Sequence, residues 1–208
     1  MNIIEHIFTR EVWRMAMIFN DETREKMRIQ LLETGFASIK LHGLKKTSVT
    51  DVANSAGIAA GTFYKFFDSK EEFVYQIVVY KRGRIKEYFR ELSKNGRLDK
   101  EAFRKFLTAV TLEDNNLFDH LDEREMKMLM ARWPEEYWKN DSNDEMTAEW
   151  LLNSLDGVRR DINMKVFVNL FKSLSLIRYG RSKMYEEQYE ETIAVYIDAI
   201  IRYVFGEQ

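Results

Sequence analysis

Apolar side chains recur along this chain at three- and four-residue intervals, the spacing of one face of an α-helix. Ile4, Phe8, Val12 and Met15 form the first such series, so residues 1–20 read as an amphipathic helix lying on its own protein. Asn20 or Asp21 suits the cap of a second helix, which runs through Met27, Leu31, Leu32 and Ile39 and loosens near Gly43. A short element follows from Thr47 or Ser48 to Ala56 and stops at Gly57. Another spans about Ala59 to Phe66. Asp68-Ser69-Lys70-Glu71-Glu72, a cap followed by acidic residues, suits the start of a helix carrying Phe73, Ile77, Tyr80, Ile85 and Phe89. Asn95-Gly96 makes a good C-cap pair for it.

Asp99 opens the next segment, with Phe103, Phe106, Leu107 and Val110. Asp119 to Arg132 reads as a helix ending before Pro134, Asp141 to Asp144 as a loop, and Met146 to Leu155 as a helix stopped by Gly157. Two long segments, about 161–179 and 186–205, close the chain. There is no strand-like alternation, and the expected class is all-α.

The two short elements carry the chemistry. Gly57 permits the positive φ that a tight joint between helices often needs. Val49, Val52, Ala53 and Ile58 can hold the two helices at a steep angle. This is a helix-turn-helix arrangement, whose second helix enters a DNA major groove. Its groove-facing surface would present Thr50, Ala59, Ala60, Thr62, Phe63 and Lys65, small or flat side chains that let a backbone approach and touch thymine methyls. Tyr64 and Lys70 suit phosphates, through a hydroxyl and an ammonium.

Net charge is −2, which conceals a division. Residues 23–82 hold ten Lys/Arg against six Asp/Glu, whereas residues 83–208 hold twenty against twenty-four. A basic block on a near-neutral chain is what phosphate attraction at one end requires. One proline among 208 residues agrees with long helices. The absence of cysteine excludes disulfides, thiolate metal sites and a cysteine nucleophile. Charged residues interrupt the apolar positions of 1–20, so no secretory leader is expected there, and no run suffices for a membrane span. The expected location is the cytoplasm.

Residues 24–70 resemble the N-terminal domain of TetR/AcrR-type transcriptional regulators. The matching string is Thr47-Ser48-Val49-Thr50-Asp51-Val52-Ala53, Ala56-Gly57-Ile58, Gly61-Thr62-Phe63-Tyr64-Lys65-Phe66-Phe67 and Ser69-Lys70-Glu71-Glu72-Phe73. The resemblance implies a three-helix DNA-binding domain, a linking fourth helix, and a helical C-terminal domain that binds an effector and dimerises. By position, Thr62 and Phe63 would approach bases, Tyr64 and Lys70 would hold phosphates, and Thr47 would cap the first helix of the motif. Ala59 stands where the family often has a capping serine, and Ala60 where a polar residue is frequent. The domains expected are therefore a 1–20 helical extension, a 21–72 DNA-binding domain and a 73–208 effector and dimerisation domain.

In that last part, 161–179 has one stripe of Ile162, Val166, Leu170 and Ile177 and another of Met164, Phe167, Phe171 and Leu174. The final helix carries Ile193, Tyr196, Ile197, Ile200 and Val204, with Val195 and Ala199 on another side. Helices apolar on more than one face need cover on more than one face, which a second copy would supply through the last two helices. A dimer would also present two recognition helices to a palindromic duplex operator. Phe106, Phe118, Met126, Met130, Trp133, Tyr137, Trp138 and Trp150 are candidates for an apolar or amphipathic effector pocket, and equally suit an ordinary core. His120 lies among acidic residues, but neighbouring side chains do not converge on one ion, so an acidic helix start is expected and no metal or cofactor. No acid/base or nucleophile constellation points to an enzyme. The expected function is a ligand-responsive repressor; the rival is a helical binding or docking module without operator recognition.

Overall fold

The computed structural model describes the backbone of residues 3–113, 116–134 and 144–206, with side chains from residue 21 onward in those ranges except at 130, 144 and 145. Among the described residues the chain is helical without strands: α1 (Ile3–His42), α2 (Val49–Ser55), α3 (Ala60–Phe63), α4 (Lys70–Leu92), α5 (Lys100–Leu112), α6 (Glu123–Arg132), α7 (Asp144–Asn153), α8 (Met164–Tyr179) and α9 (Tyr189–Phe205). Single 3₁₀ turns occupy Leu117–His120, Arg181–Lys183 and Glu186–Gln188. The all-α class is as the periodicity predicts.

Several boundaries differ from the expectation; α3, for one, is only Ala60–Phe63 where a helix from Ala59 to about Phe66 is expected. No break separates residues 1–20 from the next helix; α1 is one 40-residue helix with Asn20 and Asp21 inside it. No glycine or proline precedes Gly35, so nothing turns the chain there, and a capping residue acts only where the backbone leaves the helix. The helix opening at Lys70 ends at Leu92, and Asn95-Gly96 is instead the tip of a tight turn, both residues at positive φ, that pairs Lys94 with Arg97. The predicted 119–132 helix is divided into a 3₁₀ turn and α6. Asp99 does cap α5, accepting from the Ala102 amide at 2.8 Å.

The chain forms two compact units. The first comprises Met1–Ile77 and His120–Leu129. Its core joins Leu31, Leu32 and Ile39 of α1, Val52 and Ala53 of α2, and Phe63, Phe67, Phe73 and Ile77. Gly35 makes the closest seat: a Cβ there would fall 2.2 Å from the Phe73 ring, so only glycine lets that ring lie against α1. Leu121 and Leu129 are buried in the same unit, the His120 ring meets Phe36 edge-on at 5.8 Å, and the Glu125 carboxylate accepts from the Lys45 amide at 2.9 Å. A stretch distant in sequence thus braces the turn after α1.

The second unit comprises Val78–Asp119 and Met130–Gln208. Phe89, Leu98, Phe103, Phe106, Leu107, Leu155, Phe167, Leu174, Ile193, Ile197 and Ile200 make its core. A backbone clip, from the Leu98 amide to the Ser154 carbonyl and from the Asp156 amide to the Leu98 carbonyl, closes one end. Asn163 caps α8, and its own backbone is held on both sides by the Tyr203 hydroxyl.

Candidate nucleic-acid interface

In the first unit α2 and α3 are joined through Ala56-Gly57-Ile58, with Gly57 at φ +76°, the left-handed conformation the joint was expected to need. Ser48, not Thr47, caps α2: its hydroxyl accepts from the Asp51 amide at 3.0 Å. Thr47 is buried, donates to the Gly43 carbonyl at 3.0 Å and lies 3.1 Å from the Ser38 hydroxyl. It fastens the turn to α1 and has no surface to offer a duplex. The two adjacent hydroxyls are alike in sequence, but Thr47 is buried against α1 and Ser48 is exposed.

Phe63 is likewise corrected. It is fully buried, its ring 5.0 Å from that of Phe73 and 5.2 Å from that of Phe67, so it supports the recognition helix from beneath. A four-residue helix has one face for the core, and the largest apolar side chain takes it. Lys70 is partly buried and gives a 2.8 Å hydrogen bond to the Leu44 carbonyl, an internal tie between the start of α4 and the turn after α1.

The remaining candidates share the outer surface. Thr50, Ala59, Tyr64 and Lys65 are exposed, and Ala60 and Thr62 half-buried. Ala59 occupies the cap position of α3 without a side-chain hydrogen bond, as its methyl requires. Gly61, exposed with open space around it, adds a place where backbone can approach closely. Lys45, Lys46 and Ser48 are exposed beside the start of α2, the two lysines outside the matching string. The paired lysines two residues before the α2 N-cap were the available signal. Two other cations of the basic block are fasteners: Arg24 donates to the Lys65 carbonyl at 3.0 Å, and Arg28 to the Gln76 side chain at 2.8 Å. The resulting surface is small-featured at the centre and flanked by lysines and a phenol, which suits a duplex groove between its phosphates.

Five of the eight pocket candidates have described side chains, and these are divided between the two units. Phe118 packs edge-on to Trp133 at 6.4 Å, while Phe106 and the half-exposed Trp150 each meet Phe89 at 5.2 Å. Met126 belongs to the first unit. Tyr137, Trp138 and the Met130 side chain lie outside the described residues. A cleft of about 370 Å³ is found elsewhere in the second unit, between the end of α5, Asp119, the end of α8 and the turns leading into α9. Arg178, nearly buried, donates to the Val110 carbonyl at 3.0 Å and pairs with Asp119. Arg181 pairs with Glu186 through two donors and lies 4.5 Å over the Tyr189 ring. The Arg181 hydrogen bond holds the Glu186 carboxyl below the usual glutamate range, and burial raises the Tyr189 phenol above its ordinary value. Among the described residues no three His, Asp or Glu side chains assemble as a metal-holding group, and no helix is long and apolar enough to cross a membrane.

Residues 31–77 match the sequence profile of bacterial regulatory proteins of the tetR family. The HTH-type transcriptional repressor KstR2 of Rhodococcus jostii is 36% identical over 98 residues, 45% of this chain and 46% of that protein. A probable acrEF/envCD operon repressor of Escherichia coli K12 is 28% identical over 141 residues, 64% of this chain and 56% of that one. The chain therefore spans about half the length of the curated relatives it matches. Among solved structures, a TetR family transcription regulator from Marinobacter aquaeolei shares the fold with a TM-score of 0.59 at 21% identity, over 88% of this chain and 98% of that one. The ketosteroid transcriptional regulator KstR2 of Mycobacterium tuberculosis does so with a TM-score of 0.55 at 19% identity, over 86% and 98%. The helix-turn-helix segment thus matches the tetR family of bacterial regulatory proteins in sequence, and most of the chain shares its helical fold with solved members of that family.

Proposed function

We propose that this protein is a homodimeric transcriptional repressor that binds a palindromic operator and releases it when a small molecule binds the second unit. The observation that carries the reading is the outer surface of α2 and α3, where Thr50, Ala59, Gly61, Tyr64 and Lys65 are exposed over an aromatic base of Phe63, Phe67 and Phe73. A rigid base beneath small groove-facing residues is what sequence readout demands, because a loosely held helix cannot discriminate base edges.

Dimerisation is supported by apolar side chains that the monomer leaves outside. The Ile193, Ile197, Ile200 and Val204 stripe of α9 is consumed by the unit's own core, but Val195 and Ala199 remain exposed, as do Val166, Leu176 and Tyr179 of α8. A ligand in the second unit would act through α4, a continuous helix with residues 70–77 in the first unit and 78–92 in the second. Such coupling requires the ligand to bind the two conformations with different affinity.

Fluorescence anisotropy with a labelled promoter fragment from beside the protein's own gene, across a salt series, tests the reading. Affinity above that for scrambled duplex at every salt concentration is expected. Equal affinity for both, falling together with salt, overturns it. Substituting Tyr64 and Lys65 by alanine separates a repressor, which loses DNA affinity, from a docking module, which is indifferent.

A further inference from the structure

The turn between α1 and α2 displays Lys45 and Lys46, and its backbone is tied at successive residues from three elements of the first unit. The Gly43 amide donates to the Ile39 carbonyl of α1 at 2.8 Å. The Leu44 carbonyl accepts from the Lys70 ammonium, at the start of α4, also at 2.8 Å. The Lys45 amide donates to the Glu125 carboxylate of α6 at 2.9 Å. This third tie comes from 80 positions away, within the 73–208 stretch expected to serve effector binding. Half-buried Glu125 uses its two oxygens separately. One accepts from the Asp122 amide at 3.2 Å, while the Asp122 carboxylate accepts from the Glu125 amide at 2.7 Å. This reciprocal pair is a capping box that fixes the first turn of α6 and leaves the other oxygen for Lys45. Leu121 and Leu129, buried in the first unit, seat the segment that carries it.

We propose that Glu125 is a positioning residue for DNA binding: by holding the Lys45 amide it fixes the turn from which Lys45 and Lys46 reach backbone phosphates. A lysine contributes at a phosphate only once its flexible stem is ordered, and a fixed backbone lowers that cost. Charge and position pull in opposite directions here. A carboxylate beside a surface that meets phosphates repels them, so by charge alone its removal strengthens binding. Positioning predicts the reverse, because removal frees the turn and lets both lysines wander. Asp122 is the matched comparison. It carries the same charge in the same capping box and has no bond to the turn.

The inference rests on the DNA-binding reading but not on operator choice, since phosphates are alike in every sequence. Its test is fluorescence anisotropy of the full chain with the promoter fragment and with a scrambled duplex, across a salt series. Lys45→Ala/Lys46→Ala should weaken binding to both duplexes alike and reduce the salt slope by about one per lysine. Glu125→Ala should weaken both at least fivefold and reduce the slope in the same direction. Asp122→Ala should bind as the parent does or more tightly. In the background lacking both lysines, Glu125→Ala should cause no further loss. Circular dichroism verifies that each variant is folded, and Glu125→Met, of similar volume without an acceptor, takes the place of Glu125→Ala if that variant unfolds. Unchanged or tighter binding by the folded Glu125 variant, an equal loss in Asp122→Ala, or a loss undiminished without the lysines overturns the positioning role. A parent that binds both duplexes equally, with Glu125→Ala weakening both, sustains that role and counts against the operator-binding repressor. A parent that prefers the promoter, with Glu125→Ala binding as tightly, counts against the positioning role alone.

Discussion

Neighbouring residues in the recognition element have opposite tasks, and substitution separates them. Phe63→Ala removes a fully buried ring from the Phe67–Phe73 cluster and is expected to destabilise the first unit by about 3–5 kcal/mol. Tyr64→Ala, at an exposed position, should change stability by under about 0.5 kcal/mol while weakening operator binding. Denaturant unfolding and anisotropy titrations distinguish the two, and a stability loss at Tyr64 equal to that at Phe63 would refute the assignment. A second residue-scale expectation concerns Glu186, whose carboxyl is lowered first by its hydrogen bond from Arg181 and further by that positive charge. The folded-state value lies below the unfolded one, so the pair contributes fully above the ordinary glutamate range and is lost as pH falls through the lowered value. Carbon-detected NMR should give Glu186 a midpoint below the ordinary glutamate value, and Arg181→Gln should raise it.

At the scale of the element, the motif shows how far pattern reading extends. The positions of α2 and α3 and the positive φ of Gly57 follow from residue spacing and type, because they are local properties of the backbone. Which of Thr47 and Ser48 caps α2 does not, since both can serve and the choice depends on how the chain leaves Gly43. Ser48→Ala should therefore cost about 1 kcal/mol by loss of the bond to the Asp51 amide, an ordinary capping value. Thr47→Ala should act differently, losing the ties to Gly43 and Ser38 inside the unit. Urea unfolding of both variants, with Ser48→Thr as the conservative control, checks this; full retention of stability in Ser48→Ala would contradict the capping role. The length of α1 has a similar lesson. Asn20 and Asp21 can cap a helix, yet the helix runs through them because no backbone break occurs there.

For the whole molecule, the apolar faces of α8 and α9 divide into one buried by the chain itself and one left outside. Val195→Glu places a charge on the outer face, at a side chain 63% exposed in the monomer. It should convert the protein to a monomer in sedimentation velocity without unfolding it, and reduce operator affinity by at least tenfold through loss of the second half-site. A variant that remains dimeric would place the interface elsewhere. Ile197→Glu should instead unfold the second unit, its side chain being in the core.

Much of this protein was determined by its sequence: the all-α class, the helix-turn-helix, its basic setting, and the apolar stripes of the last helices. These are consequences of local periodicity, glycine geometry and charge placement, which need no knowledge of distant contacts. Tertiary structure alone decided the rest. It turned Thr47, Phe63 and Lys70 inward, leaving Thr50, Ala59, Tyr64 and Lys65 outside. It brought His120–Leu129 into the first unit, where Glu125 braces Lys45. It assembled the charged cleft from Asp119, Arg178, Arg181, Glu186 and Tyr189, residues up to 70 positions apart, none of which belongs to a motif. The physical reason is the same in each case. A side chain's face and partners depend on which segments compete for the same buried volume, and only the folded chain settles that competition.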